Sequence, residues 1–258
     1  MNLSSQNSIA AHFRSLHKPG QPLILGNVYD ASTASIVASL PVTKAVATAS
    51  FAIAAVEGVH DDDLTQEQNF AAIKKIAAVV LPKNLPLTAD LQDGYEDIQE
   101  TIRQVISLGA VGCNLEDVDN KSRKLRTLDD AVHRIKLAME AAREAGVPDF
   151  AINARTDVLC HGGLVEDAIE RGKAFLAAGA NTVFVWGGPS GRGVTRDEVV
   201  MLVAAFEGRL NVILRFGEGF LSVAELREIG VARISVGPGL YRAAMTAFKN
   251  AAEGLLGA

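Results

Sequence analysis

Eight times along this chain an apolar run of strand length gives way to a segment with helical periodicity, and this alternation constrains the fold more than any other feature. The runs are residues 23–28, 45–49, 85–91, 110–115, 150–154, 182–186, 210–216 and 232–236. Residues 66–80, 98–108, 127–145, 165–177, 196–206 and 222–229 carry apolar positions at helical spacing with charges between them. Near-continuous Val, Ile and Leu strands separated by amphipathic helices describe parallel strands covered on their outer face. Eight such units predict a closed (β/α)8 TIM barrel. Gly109, Gly179 and Gly230 each sit where a helix ends just before a strand, the place for a left-handed cap. An open doubly wound sheet is the alternative, but the turn after the first strand lacks its glycine-rich phosphate fingerprint. An extra helix is expected at residues 5–16, before the first strand, and a last one at 241–256.

The 258 residues, 48% of them hydrophobic, suit one large barrel domain spanning 1–258, with no linker or low-complexity tract to divide it. A net charge of -5 gives no basic footprint for nucleic acid, so a small molecule is the expected partner. No apolar run approaches the roughly 20 residues that cross a bilayer, and the polar start lacks a secretory pattern. With only Cys113 and Cys160 present there is no disulfide framework, and a soluble cytoplasmic protein is expected.

In such a barrel, chemistry gathers where the strands end and their loops begin. Those positions hold Tyr29 and Asp30, Ser50 and Phe51, Asp90 with Gln92 and Asp93, Glu116 and Asp117, Arg155 and Asp157, Trp186, and Arg215. Acids dominate, and arginines face them. Carboxylates at neighbouring strand ends suit a hard dication such as Mg²⁺, which keeps water and open positions for substrate oxygens. An arginine opposite would clamp an anionic oxo-acid. No lysine ends any of the eight strands, which argues against Schiff-base chemistry. Asp30 also suits a plain helix cap, Arg155 could simply pair with Asp157, and the glycine-rich loop 187–193 could cradle a phosphate.

Six segments together resemble the isocitrate lyase and phosphoenolpyruvate mutase superfamily. They are Asn27-Val-Tyr-Asp-Ala-Ser32, Gly58-Val-His-Asp61, Asp90 through Gly94-Tyr95, Asn114-Leu-Glu-Asp117, Asn153-Ala-Arg-Thr-Asp157, and Gly237-Pro238 with Arg242-Ala-Ala244. The resemblance implies Mg²⁺, with Mn²⁺ able to replace it, handling 2-oxo acids or their enolates. It also implies a homo-oligomer, usually a tetramer, in which the last helix is swapped between subunits. Carried over by position, Asp90 is the principal metal carboxylate, with Glu116 and Asp61 acting through its water and Gln92 beside them. Arg155 would hold substrate and steady enolate charge, and the Ser50 and Phe51 amides would bind its carboxylate. Tyr29, Trp186 and Arg215 complete the substrate wall, and Lys121, expected with Arg155 and Glu116 to take part in the chemistry, lies in the loop expected to close over it.

The chain also departs from the family pattern. Gln92 stands where a second acid is usual, and an amide brings no charge. The loop Glu116 to Lys124 carries no cysteine, so the acid or base of the true lyases is missing. Trp186 replaces the histidine of the mutase branch. The chemistry that needs least from that loop is C–C cleavage or decarboxylation of an oxaloacetate-like 2-oxo or 2-hydroxy acid. P–C bond chemistry on phosphonopyruvate, or a non-catalytic barrel that binds a dicarboxylate, are the alternatives.

Overall fold

The apolar runs become barrel staves because each can be buried on both faces, inward against the barrel interior and outward against a helix. The computed structural model describes residues 3–188, 193–217 and 219–257. Its first half contains α1 (Leu3–Ser15), β1 (Leu23–Ile24), β2 (Gly26–Val28), α2 (Ala31–Ser39), β3 (Val46–Thr48), α3 (Ser50–Glu57), α4 (Gln66–Val80), β4 (Leu87–Asp90) and α5 (Ile98–Ser107). Then come β5 (Gly112–Glu116), a hairpin of β6 (Val118–Asp119) and β7 (Lys124–Leu125), α6 (Leu128–Glu144), β8 (Ala151–Thr156) and α7 (Val165–Ala177). The chain finishes with β9 (Thr182–Val185), α8 (Arg196–Ala205), β10 (Leu210–Ile213), α9 (Val223–Ile229), β11 (Arg233–Ser235) and α10 (Gly239–Leu256).

The sheet runs β1-β11-β10-β9-β8-β5-β4-β3-β2, all parallel. Its two ends, β1 and β2, are halves of one stretch of chain, so the sheet closes on itself. The expected first strand is thus a stave broken at Leu25, one half pairing with β11 and the other with β3. Across the closure the amides of Leu23 and Leu25 donate to the carbonyls of Ala232 (3.0 Å) and Ile234 (2.9 Å).

Helix α1 closes the amino-terminal end of the barrel. Gln6 Nε2 ties it to the carbonyls of Ile106 (2.9 Å) and Ala110 (3.0 Å), and the buried Phe13 ring lies against Gly112. A Cβ on Gly112 would come within 2.6 Å of the Ala151 carbonyl and 2.9 Å of that ring, so glycine is what lets the helix seat. At the opposite rim, Asp30 caps α2 by accepting from the Thr33 amide at 2.7 Å, the plain role its position suggests. Gly109, Gly179 and Gly230 all have positive φ, as helix ends before strands require.

Candidate active site at the carboxyl ends of the strands

Four in-register residues set the level of the site. Asp90 pairs with Asn114, Asn114 with Asn153, and Asn153 with Thr182, so all four point inward from adjacent staves. Asp90 is fixed from three sides. Its amide donates to Thr48 Oγ1 (2.8 Å), its carbonyl accepts from Asn69 Nδ2 (2.9 Å), and its Oδ2 accepts from the Ser50 amide at the start of α3 (3.1 Å). The other carboxylate oxygen, Oδ1, is buried with no donor. A buried acceptor left bare costs about 1–3 kcal/mol, so it points to a partner the protein itself does not provide.

One layer higher, Glu116 on β5 is in register with Arg155 on β8. Arg155 Nη1 donates to Glu116 Oε1 at 2.6 Å, while Nε and Nη2 grip both oxygens of Asp157 at 2.6 and 2.7 Å. The Trp186 ring stacks on the guanidinium, its centroid 4.1 Å from Cζ, with Phe184 at 5.8 Å. Burial alone would loosen the proton on Arg155, but Asp157 and Glu116 outweigh it and raise its pKa. Burial also pushes the Glu116 carboxyl well above the ordinary range; Arg155 opposes this, and Asp157, Asp90 and Asp61 reinforce it.

Asp61 approaches from the short helix Asp61–Asp63 after α3. Gln92 Nε2 donates to its carbonyl (2.7 Å) and to its Oδ1 (3.3 Å). Burial and the nearby Asp90 charge lift the Asp61 carboxyl to about 6, against a hydrogen bond from the Ser50 side chain. Gln92 Oε1 is a second buried acceptor without a donor. Gln92 and Tyr95 hold positive φ of 52° and 58°, a strained turn of the kind found at binding sites. Among the described residues no three acidic, histidine or cysteine side chains converge as a direct ligand set. The donors present are one bare carboxylate oxygen, one bare amide oxygen and two acids that sense Asp90 electrostatically. This set fits Mg²⁺, which is commonly held by one or two carboxylates with water completing the octahedron.

The remaining expected residues divide. The Ser50 amide is engaged on Asp90 and its hydroxyl on Asp61, so it supports the acids and is not an open anion donor. Tyr29 and Phe51 both pack edge-on against Tyr241, at 5.2 and 6.4 Å, and form an aromatic wall at the base of α10. Lys121, expected in the chemistry, sits on the hairpin tip 80% exposed, 3.5 Å from Glu96, and is not drawn into the acid cluster. The charge stays in water because no buried acid reaches it. Arg215 donates to the Gly188 carbonyl at 2.8 Å and lies over Phe220, bracing the loop after β9 instead of the acids. The phosphate-cradle reading of loop 187–193 rests mostly on residues 189–192, which lie outside the described residues.

Two acids of undecided role prove to be anchors. Asp117 binds Arg171 Nε (2.7 Å) and the Asp157 amide (2.9 Å), and Asp93 binds Arg126 (3.1 Å) and the Asn120 amide (3.2 Å). Both tie the β6–β7 hairpin and the strand ends together, so Asp93 does not take the place of the missing second acid. Arg123 on the hairpin also pairs with Asp62 across the mouth. Sequence reasoning missed Asn69, which links Asp90 to the Tyr95 hydroxyl (2.8 Å), and Arg233, a guanidinium fully buried in the barrel interior. A charged residue inside an otherwise apolar strand was the available signal for the second.

Residues 13–256 match the family model for phosphoenolpyruvate phosphomutase. The fold aligns at a TM-score of 0.86 with the crystal structure of a Burkholderia cenocepacia J2315 protein provisionally called a phosphonomutase; the two are 38% identical, with 98% of this chain and 100% of that one covered. It aligns at 0.81 with 2,3-dimethylmalate lyase, a PEP mutase/isocitrate lyase superfamily member, at 26% identity over 96% of this chain and 87% of the other. An uncharacterized Mycobacterium tuberculosis protein, Rv1998c, is 30% identical over 246 residues, 93% of this chain and 87% of that protein. The chain belongs to the phosphoenolpyruvate phosphomutase family, and so to the isocitrate lyase and PEP mutase superfamily of carbon–carbon lyases and mutases.

Proposed function

We propose that this chain is a Mg²⁺-dependent lyase or hydrolase that acts on a small 2-oxo or 2-hydroxy acid of the oxaloacetate kind, cleaving a C–C bond or releasing CO₂ through an enolate. The observation that carries the reading is the pair of bare buried acceptors, Asp90 Oδ1 and Gln92 Oε1, at the same end of the barrel as the Arg155 guanidinium stacked on Trp186. Asp90 and Gln92 would hold the ion, with Asp61 and Glu116 reached through its water. Mg²⁺, or Mn²⁺, supplies electrophilic stabilisation of developing oxygen charge when bound.

Arg155 has five N–H groups, and three are spent on Glu116 and Asp157. The remaining two would bind the substrate carboxylate and steady the enolate, while Trp186 keeps the guanidinium planar and dry on one face. Glu116, whose carboxyl holds its proton tightly for an acid, is the buried group able to carry a proton beside the reacting carbon. The relation to 2,3-dimethylmalate lyase, named for a 2-hydroxy diacid, supports this substrate class. Asp90→Ala is expected to abolish Mg²⁺-dependent turnover of oxaloacetate while circular dichroism stays unchanged; retained activity would remove the assignment.

A second reading, P–C bond chemistry on phosphonopyruvate, is favoured by the 38% identity to the Burkholderia protein, and release of phosphate from phosphonopyruvate would establish it. We also propose that α10 packs on a second copy of the chain. It buries no residue of its own and exposes Leu240, Met245, Phe248, Leu255 and Leu256, and a monomeric mass in solution would refute the idea. Among the described residues no helix is long and apolar enough to cross a membrane.

A further inference from the structure

Arg233 begins the last stave, yet its guanidinium lies inside the barrel, 1% exposed, and crosses from β11 to the opposite side of the sheet. There its Nη2 donates to Asn114 Oδ1 at 3.2 Å. The same oxygen accepts from Asn153 Nδ2 at 2.8 Å, and Thr182 donates to Asn153 Oδ1 at 2.6 Å. Arg233 therefore terminates the hydrogen-bonded row that lies level with Asp90. Among the described residues no carboxylate forms an ion pair with it, and its Nε is buried without a partner.

The surroundings give this cation few neighbours to answer it. His17, in the turn that follows α1, is kept neutral by burial and by Arg233 itself, its pKa lowered to about 3. The Cys113 thiol is buried and its pKa is raised, so it adds no negative charge. Asp90 is the carboxylate whose charge reaches Arg233 through the barrel interior. Burial lowers the guanidinium pKa to about 10, which leaves it charged at neutral pH. A permanent positive charge in a poorly screened interior acts over several ångströms.

We propose that Arg233 is a positioning residue of the candidate site: it holds the Asn114 amide in place and sets a fixed positive charge beneath Asp90. That charge moderates the pull of the acid cluster on a dication and favours an anionic ligand bound above it. The inference rests on the site reading given under the proposed function. The opposite signs expected for cation and anion distinguish it from simple structural damage, which would loosen both.

The test uses the full chain with Arg233→Met, Arg233→Gln and Arg233→Lys. Mn²⁺ affinity is read by electron paramagnetic resonance, and oxalate affinity by calorimetry at fixed Mn²⁺. The two neutral variants should bind Mn²⁺ about tenfold more tightly and oxalate about tenfold more weakly, as expected for loss of one nearby buried charge. Arg233→Lys, which keeps the charge, should restore both to within about threefold. Unchanged constants, or equal weakening of both ligands without rescue by lysine, would overturn the proposal. Should neither neutral variant fold, Arg233→Lys decides: constants within about threefold of the parent would support the fixed charge, and equal weakening of Mn²⁺ and oxalate would overturn it. If the parent itself binds neither Mn²⁺ nor oxalate, the reading of the site is what fails.

Discussion

Glu116 and Arg155 stand directly opposite each other on neighbouring staves and share a 2.6 Å hydrogen bond, with Asp157 closing the far side of the guanidinium. Removing the cation would strand two buried carboxylates. Arg155→Met is expected to cost about 3–5 kcal/mol in urea unfolding, the range for breaking a buried ion pair. Arg155→Lys should recover only part of this, because an ammonium cannot reproduce the fork on Asp157. The double variant Arg155→Met with Glu116→Gln should be more stable than Arg155→Met alone; equal stabilities would show that Glu116 does not depend on the pair.

Gln92 offers a test of how the acids are balanced. Gln92→Asp places a further charge beside Asp61 and Asp90, where the amide now donates to Asp61. Without metal the variant should melt several degrees lower. With millimolar Mg²⁺ it should regain the loss, since a ligand that binds only the folded state stabilises it in proportion to affinity. Thermal melts with and without Mg²⁺ check both halves, and an equal response to Mg²⁺ in parent and variant would contradict the placement of the ion.

His17 should shape the acid limb of stability. Its Nε2 is enclosed without a partner although the residue as a whole is half-buried, and burial lowers its pKa from 6.5 to about 3. The unfolded chain thus binds a proton that the folded chain refuses. This contribution is fully present above about pH 6.5 and is lost as pH falls toward 3, at up to about 1.4 kcal/mol per pH unit. His17→Phe should lose less stability than the parent between pH 7.5 and 5, by about 2 kcal/mol in urea titrations. Parallel losses would mean the ring charges freely in the fold.

Gly112→Val tests the barrel floor. The new side chain meets the Ala151 carbonyl and the Phe13 ring, and backbone cannot yield as a side chain can. A loss of about 1–3 kcal/mol is expected from overpacking. Limited proteolysis should cut near residue 16 in the variant and not in the parent if α1 is the element displaced.

The staves were legible in the sequence because strands buried on both faces must be apolar throughout, a demand few other segments meet. The β6–β7 hairpin was not. It holds itself by ion pairs of Arg126 with Asp93 and Asp119, and charged loops carry no periodicity to read. The acids at strand ends could be nominated but not sorted, because Asp90, Asp93 and Asp117 look alike in one dimension, while in the fold Arg126 takes Asp93, Arg171 takes Asp117 and Asp90 keeps an oxygen bare. Arg233 was visible as a charge inside an apolar strand, but one dimension does not tell whether such a side chain turns into the barrel or out of it. The break at Leu25 has no local signature either, being imposed by pairing with β11 more than two hundred positions away.

That distant pairing bears on how the molecule is made. The Asn27 side chain accepts from the amides of Val236 and Gly237, 209 and 210 positions further on. During synthesis the outer edge of β2 must therefore wait, uncovered on one flank, until nearly the whole polypeptide has left the ribosome. Slow final zippering and a period of vulnerability to nascent-chain association follow from this seam, and chaperone demand should concentrate there.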